Sequence, residues 1–196
     1  MTDRKVYFIR HGESEANLGP YWGTDLPLTR KGVLQASRLQ RELEGIPFSL
    51  VVSSDLKRAV ATMLYAFPEK NSMMVDRRFR EIHFGTLEGR LATDERIREI
   101  QKDISLNRTK YGGSDMFLRA REAIRALRDY VDLCDGNIAV VGHDTLFECM
   151  FHLLGTDGEA TEKEKGFLLW SSLRRMNNCQ TKEVDAKTIL ERDGAL

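Results

Sequence analysis

Three short apolar runs, each cut off by polar or reactive residues, constrain this chain more than any other feature. Val6 to Ile9 runs into Arg10-His11-Gly12-Glu13, Leu50 to Ser53 into Ser54-Asp55, and Asn137 to Val141 into Gly142-His143-Asp144. Each run is too short for a helix, rich in strand formers and without polar alternation, as expected of strands buried on both faces. Between them the spacing is helical. Thr29 can cap a helix running to about Glu44, with Val33, Leu34, Leu39 and Leu43 as its apolar stripe. Ser54 can cap another from about Asp55 to Phe67. Ser114 opens a long one to about Leu133, with Phe117, Ala120, Ile124, Leu127 and Val131 on one face, and Thr145 to Leu154 forms a fourth. Weaker strands are expected at Ser72 to Asp76, Phe167 to Trp170 and Gln180 to Val184. Strands alternating with helices predict an α/β fold of three layers, α/β/α, around a mostly parallel central sheet.

One segment breaks the alternation. From Arg77 to Gly113 the chain is polar, with Arg90, Arg96, Arg98, Lys102, Arg108 and Lys110, and one helix is expected near Asp94 to Asp103. This reads as a lid-like insertion, 77–113, within a single domain spanning 1–196. The arginines from Arg77 to Arg98 either read substrate charge or form a solvated face. Arg192 to Leu196 read as frayed.

Composition narrows the function. Of 196 residues 41% are hydrophobic and 31% charged, as in soluble globular proteins. Lys plus Arg and Asp plus Glu number 30 each, so no net field draws the chain to nucleic acid or to an anionic membrane. The first apolar run is far too short for a signal-peptide core. Cys134, Cys149 and Cys179 are odd in number and lack CxxC spacing. Reduced thiols in a cytoplasmic protein are therefore expected. Self-association into a homo-oligomer stays open.

Ligands of open α/β sheets bind beyond the carboxyl ends of the strands. A parallel sheet would bring Arg10, His11, Ser54, His143 and Asp144 to one edge, with Arg58 in the first turn of the following helix. Such a set suits a phosphoryl group. Arg10 and Arg58 can hold its oxygens by charge-assisted hydrogen bonds. A neutral imidazole at His11 can attack phosphorus, its ring fixed by donating the other N–H to a backbone carbonyl. His143 can donate to a phosphoryl oxygen, and a carboxylic acid can protonate the leaving alcohol. Nothing has HxH or HExxH spacing, and no GxxxxGK[ST] loop is present, so neither a metal nor another cofactor is expected. His152 reads as a core or boundary residue, and His83, near Glu81, as packing.

Arg10-His11-Gly12-Glu13-Ser14 resembles the signature of the histidine phosphatase superfamily, in the branch of phosphoglycerate mutases and related phosphatases. The resemblance continues through Asn17, Asp25 to Thr29 with Gly32, Ser53 to Arg58 with Ala59 and Thr62, Arg80 to Gly89, Gly112-Gly113-Ser114 and Val140 to His143. It implies that His11 is phosphorylated, with Arg10, Arg58 and His143 as the phosphate pocket, Glu81 as the proton donor and Asn17 as a further phosphate contact. Thr24 would lie near the substrate. Asp144 departs from the pattern of this branch. A distant branch uses an Asp after its second histidine as the acid, so Asp144 rivals Glu81. Apolar neighbours at the Phe84-Gly85 turn would favour Glu81, leaving Asp144 to cap a helix. The short segment after Glu81 resembles the phosphatases, whereas the mutases carry a longer basic elaboration. The expected activity is metal-independent hydrolysis of a phosphorylated small molecule or phosphoprotein. Phosphoglycerate mutase-type transfer and non-catalytic binding of a phospho-ligand are the alternatives.

Overall fold

In the computed structural model, which describes residues 4–19, 25–81, 83, 85–91, 95, 116–155 and 176–191, the first apolar run forms β1 (Lys5–Arg10). Its side chains alternate between two cores, Val6 and Phe8 entering one, Tyr7 and Ile9 the other. The second run forms β2 (Phe48–Ser53), followed by a short β3 (Met73–Val75). The third forms β4 (Asn137–Gly142), and β5 (Thr181–Asp185) closes one edge. The sheet order is β3-β2-β4-β1-β5; the first four strands run parallel and β5 antiparallel to β1. This is the mostly parallel central sheet that the sequence pattern predicts.

Helices cover both faces. A single turn, α1 (Glu15–Leu18), leads from the first strand's loop, and α2 (Arg30–Glu42) and α3 (Lys57–Ala66) pack on the Tyr7 and Ile9 face. The Val6 and Phe8 face carries α4 (Met116–Leu133), α5 (Asp144–Leu154) and α6 (Ala186–Glu191). There Phe8 meets Phe147 and Phe151 edge to face, at centroid distances of 5.2 and 5.0 Å, an arrangement the ring quadrupoles favour. No helix among the described residues is long and apolar enough to cross a membrane.

The position of β4 builds the site. It arrives last of the three central strands yet lies between β1 and β2, with Arg10 level with Gly142 and Ser53 level with Val141. Two bonds continue the ladder past the strand ends. His11 N donates to Gly142 O (3.0 Å), and Ser54 N donates to Val141 O (2.9 Å). Three polar strand ends therefore sit side by side.

Local details differ from expectation. The buried stripe of α2 is Gly32, Ala36, Leu39 and, just past the helix, Leu43, while Leu34 is 57% exposed. Two residues on from Gly32 is roughly 200° around a helix, so Leu34 must face out once Gly32 faces in. Thr29 caps α2 as expected, its hydroxyl accepting from Gly32 N. Ser54 does not cap α3. The Lys57 N–H goes to Asp25 Oδ1 (2.8 Å), and the Ser54 hydroxyl is engaged by His143. The six-residue α6 is too short to show a helical period. The helix near 94–103, the strand at 167–170, the glycine turn at 112–114, the tail 192–196 and much of the 77–113 segment lie outside the described residues.

Gly12 and Gly32 let the first loop pack on the start of α2. A Cβ on Gly32 would lie 1.9 Å from Glu13 O, and one on Gly12 would lie 2.6 Å from Gly32 O. Backbone is on both sides, so neither contact can be relieved by turning a side chain. Gly32→Ala is expected to lower the urea-unfolding free energy by about 1–3 kcal/mol. Leu34→Ala, on the exposed face, should change it by less than about 0.5 kcal/mol. Equal effects would show that the two backbones are not in contact.

Candidate active site

His11 leaves β1 directly and is only 4% exposed. Its Nδ1 lies 2.7 Å from Gly12 O, and its Nε2 lies 3.1 Å from Arg58 Nε. A carbonyl only accepts and a guanidinium only donates. The two contacts thus place the proton on Nδ1 and the lone pair on Nε2, the ring orientation expected from the sequence. Burial, together with the Arg58 and Arg10 charges, pulls the pKa down to about 3, against the opposing Gly12 hydrogen bond. The ring is neutral at pH 7, with an unshared pair aimed at a guanidinium.

Arg58 is buried, and burial works against its charge, offset by Glu81, Asp25 and Glu88. Its backbone is tied to the loop as well. Thr62 donates to Arg58 O (2.7 Å) and accepts from Gly12 N (2.9 Å). One hydroxyl therefore fixes the spacing between α3 and the loop that carries His11.

His143 is fully buried, and its ring centroid lies 5.1 Å from that of His11. Burial, then Arg58, His11, Arg10 and Arg119, hold its pKa well below the ordinary value. Nε2 contacts Ser54 Oγ at 2.9 Å, while Nδ1 is buried with no partner among the described residues. Arg10 Nε is a second buried polar atom without a partner among them. Such atoms cost about 1–3 kcal/mol each when buried alone, and at the end of a parallel sheet they suit an anion.

Asp144 does other work. Its Oδ1 accepts from Met176 N (2.9 Å), and its Oδ2 lies 3.8 Å from an Arg10 terminal nitrogen. Arg10 also donates to Met176 O. The 176–180 turn continues this clamp. Asn178 Nδ2 donates to His11 O (3.0 Å), Cys179 N to Arg10 O (3.0 Å), and Arg10 N to Gln180 O (3.1 Å). Cys179 adopts a left-handed φ of 59° there, and burial pushes its thiol pKa up to about 12, so it is not a reactive thiolate. The sequence reading missed this turn. Asn177-Asn178 ahead of a strand is the turn chemistry that marks it.

Glu81 reaches the N-terminus of α5. Thr145 N and Leu146 N approach its carboxylate at 3.4 and 3.3 Å, where the helix dipole favours negative charge. The expectation that Asp144 caps this helix is corrected: Glu81 takes the N–H groups, and Asp144 takes Met176. The expected apolar surroundings of Glu81 are also replaced by N–H groups and, close by, the Arg58 and Arg119 charges. Arg119, on α4, was not singled out in the sequence. Its guanidinium donates to Glu81 O and Arg80 O (2.9 Å each) and to Arg77 O (3.5 Å), gathering the segment that delivers Glu81.

Asn17 is exposed at the lip, and its Oδ1 accepts from Ser14 N (2.9 Å), Ser14 Oγ (3.1 Å) and Asn178 Nδ2 (3.4 Å). Thr24 lies outside the described residues. His83 is mostly exposed, accepting from Gly85 N, so the packing reading for it is corrected. His152 lies at the boundary with its ring against Phe117 (6.0 Å). The structure thus brings Arg10, His11, Arg58, Glu81, His143 and Asp144 together, with Asn17 at the edge.

Comparison with known proteins shows the family and the fold. The family model for the histidine phosphatase superfamily (branch 1) matches residues 6–168. The chain is 36% identical over 89 residues to an adenosylcobalamin/alpha-ribazole phosphatase of Escherichia coli (strain K12), covering 44% of each chain. It is 28% identical over 191 residues to the "Probable phosphoglycerate mutase GpmB" of Proteus mirabilis (strain HI4320), covering 92% of this chain and 84% of that one. A mycobacterial glucosyl-3-phosphoglycerate phosphatase complexed with VO3 shares the fold, with a TM-score of 0.75 and 22% identity over 92% of each chain. The chain thus spans less than half of one of these two curated relatives and most of the other.

Two buried neutral histidines make stability depend on pH. His11 titrates near 3 when folded and near the ordinary 6.5 when unfolded, and His143 is shifted in the same direction. Between those values the unfolded chain binds more protons. The stabilisation is complete above about pH 6.5 and is lost as pH falls toward 3. Urea unfolding should be nearly flat from pH 7.5 to about 6.5 and below that lose stability with a slope that approaches about 1.4 kcal/mol per pH unit from His11, with His143 adding in the same direction. His11→Asn should remove one of these contributions. A flat profile in the wild type would mean that the rings are not held neutral.

Proposed function

We propose that this chain, which belongs to the histidine phosphatase superfamily, hydrolyses a phosphomonoester through a phosphohistidine on His11. One observation carries the reading: His11 Nε2 holds its lone pair toward Arg58 while Nδ1 is locked on Gly12 O. When a phosphoryl group enters, the Arg58 guanidinium can move from Nε2 to a phosphoryl oxygen, freeing the lone pair to attack. Arg10 Nε and His143 Nδ1 are placed to donate to the other oxygens. The P–N bond forms as the P–O bond to the leaving group breaks, and Glu81 passes to the leaving oxygen the proton that a monoanionic phosphomonoester brings in. Water then attacks the phosphohistidine. Glu81 takes its proton, and His11 leaves as the neutral imidazole. Asn17 borders the pocket as a further contact, and Thr24 is assigned to the substrate side.

The arginines supply positive charge that a metal supplies in other phosphoryl-transfer sites, which supports metal-independent turnover. The substrate is a phosphorylated small molecule or a phosphoprotein, with neither nucleic acid nor membrane as a partner. Cys134, Cys149 and Cys179 form no disulfide, which fits a reducing cytoplasm. Mutase action is the second reading, favoured by the long match to the Proteus mirabilis protein. Against it stands the short segment after Glu81, which leaves little chain to close a basic chamber around a reorienting substrate.

Protein incubated with labelled substrate should carry acid-labile, alkali-stable phosphate that vanishes in His11→Ala, with turnover unchanged by a chelator. Label persisting in that variant, or turnover abolished by chelation, sinks the mechanism. Phosphate released from an aryl phosphate should greatly exceed isomerisation of phosphoglycerate; the reverse ratio favours the mutase.

The two carboxylates separate by leaving group. Glu81→Gln should slow an alkyl phosphate about 10²–10⁴-fold, and a nitrophenyl phosphate far less, because nitrophenolate departs without a proton. Asp144→Asn, which loosens Arg10 and the 176–180 turn, should slow both alike. The opposite pattern would make Asp144 the acid.

A further inference from the structure

Beside the segment that delivers Glu81 lies a second concavity, of about 630 Å³. None of Arg10, His11, Arg58, Glu81, His143 and Asp144 is among its described lining residues, although Arg119 is near enough to act on the His143 ring. Arg77, Arg78, Arg80, Arg119 and Arg125 line it, with Asp76 and Glu122. Asp76 is committed to Arg78 (2.7 Å) and accepts the Tyr130 hydroxyl (2.7 Å), so that pair is internally neutral. Arg80 pairs with Asp55 at 2.5 Å. Among the described residues, Asp55, Asp25 and Glu88 act on the charge of Arg80, and Glu81, Glu122 and Asp55 on that of Arg119, so the guanidinium groups are partly balanced from outside the hollow while arginine predominates in its lining. Arg119 is pinned by neutral carbonyls, so its position is fixed, and its charge is felt by Glu81, Glu122 and Asp55 without a direct ion pair to any of them among the described contacts.

A chain of zero net charge has gathered five arginines from two separate segments, residues 77–80 and α4, around one hollow. Guanidinium groups bind phosphate and carboxylate in bidentate fashion. The volume falls in the range of small-molecule pockets and exceeds the needs of one phosphate. A single hollow fits a compact ligand better than a nucleic acid strand.

We propose that this cleft is a second anion site, taking a small molecule with two or more phosphate- or carboxylate-type groups, and that its occupancy is transmitted to Glu81 through Arg119. The link is direct. The guanidinium that lines the cleft donates to Glu81 O and Arg80 O. An anion that draws Arg119 toward itself loosens the segment whose carboxylate sits on α5. The transmission to turnover rests on the phosphatase reading; the binding does not.

The probe is methylenediphosphonate, whose carbon bridge the protein cannot hydrolyse, titrated calorimetrically with saturating orthovanadate in the His11 pocket. One equivalent should still bind. An Arg77→Glu, Arg125→Glu double variant should bind at least tenfold more weakly while keeping its vanadate affinity. Mapping of phenylglyoxal modification on the wild-type protein needs no variant. Methylenediphosphonate should shield Arg77 and Arg125, and vanadate should shield Arg10 and Arg58. Binding that disappears under vanadate, an unaffected double variant, or shielding confined to Arg10 and Arg58 overturns the site.

Two sources of the anion give different kinetics. A free effector changes the maximal rate on a simple alkyl phosphate, with less effect on nitrophenyl phosphate, because the acid step is the one altered. A site for the substrate's own remote group makes the probe compete with a bisphosphorylated diol and not with nitrophenyl phosphate. Neither effect, with binding intact, overturns the coupling to Glu81. Absence of vanadate-sensitive turnover on any substrate counts against the phosphatase reading and leaves the binding result standing.

Discussion

The site depends on one imidazole held between a carbonyl and a guanidinium. Gly12 O fixes the proton of His11 on Nδ1, and Arg58 faces the lone pair on Nε2. Neither contact would hold without the sheet. His11 N continues the β1–β4 ladder onto Gly142 O, and Thr62 joins the loop backbone to the turn of α3 that carries Arg58. A cation beside a base is ordinarily wasteful. Here it excludes protonation of the base, so that attack on phosphorus needs no prior loss of a proton. The same guanidinium is free to change partners when a better acceptor arrives, because a phosphoryl oxygen is charged and a neutral ring nitrogen is not.

The N-terminus of α5 divides the two carboxylates. Helix N-termini at the ends of α/β sheets commonly receive the phosphate itself. In this chain Thr145 N and Leu146 N instead hold Glu81, a residue more than sixty positions earlier. Asp144, on the first turn of the same helix, points to Met176 N and Arg10. One helix end thus holds one acid near the substrate and turns the other to structural use. On the proposed function the phosphate charge falls to side chains: two arginines and a histidine. Arg119 completes the arrangement from α4 by gathering carbonyls of the 77–81 segment, which neither helical period nor family resemblance exposes.

What could be read in advance follows from the physics of each element. The continuous apolar runs at Val6, Val51 and Val140 specify strands buried on both faces, so the polar residues ending them had to meet on one edge. His11, Arg58 and His143 could therefore be brought together without coordinates. The phase of α2 could not, because it is set by the contact of Gly32 with the Glu13 backbone, and a glycine carries no hydrophobic signal. Ser54 was assigned to a helix because its hydroxyl competes well for N–H groups; it does accept from Leu56 N, but the helix starts only at Lys57, and the same hydroxyl also meets the tertiary partner His143. The 176–180 turn is marked by Asn177-Asn178, but its tie to Arg10 and Asp144 runs through backbone groups of Met176, Cys179 and Gln180, which every residue carries alike.

These features share a consequence for how the fold is balanced. A buried Arg58, two neutral buried imidazoles, and an Arg10 Nε and a His143 Nδ1 unpartnered among the described residues all lie at the carboxyl ends of β1, β2 and β4. Each is unfavourable in the empty protein and becomes favourable beside a phosphoryl group. The sheet can carry them because its two cores are packed on opposite faces, where Phe8, Phe147 and Phe151 on one side and Ile9, Leu39 and Val51 on the other are almost wholly buried. Stability is thus supplied by the faces and given up at the edge. Relieving the edge with apolar or neutral residues would strengthen the fold while removing the donors that an anion needs. The strain at the strand ends and the affinity for phosphate are the same free energy, seen without and with the ligand.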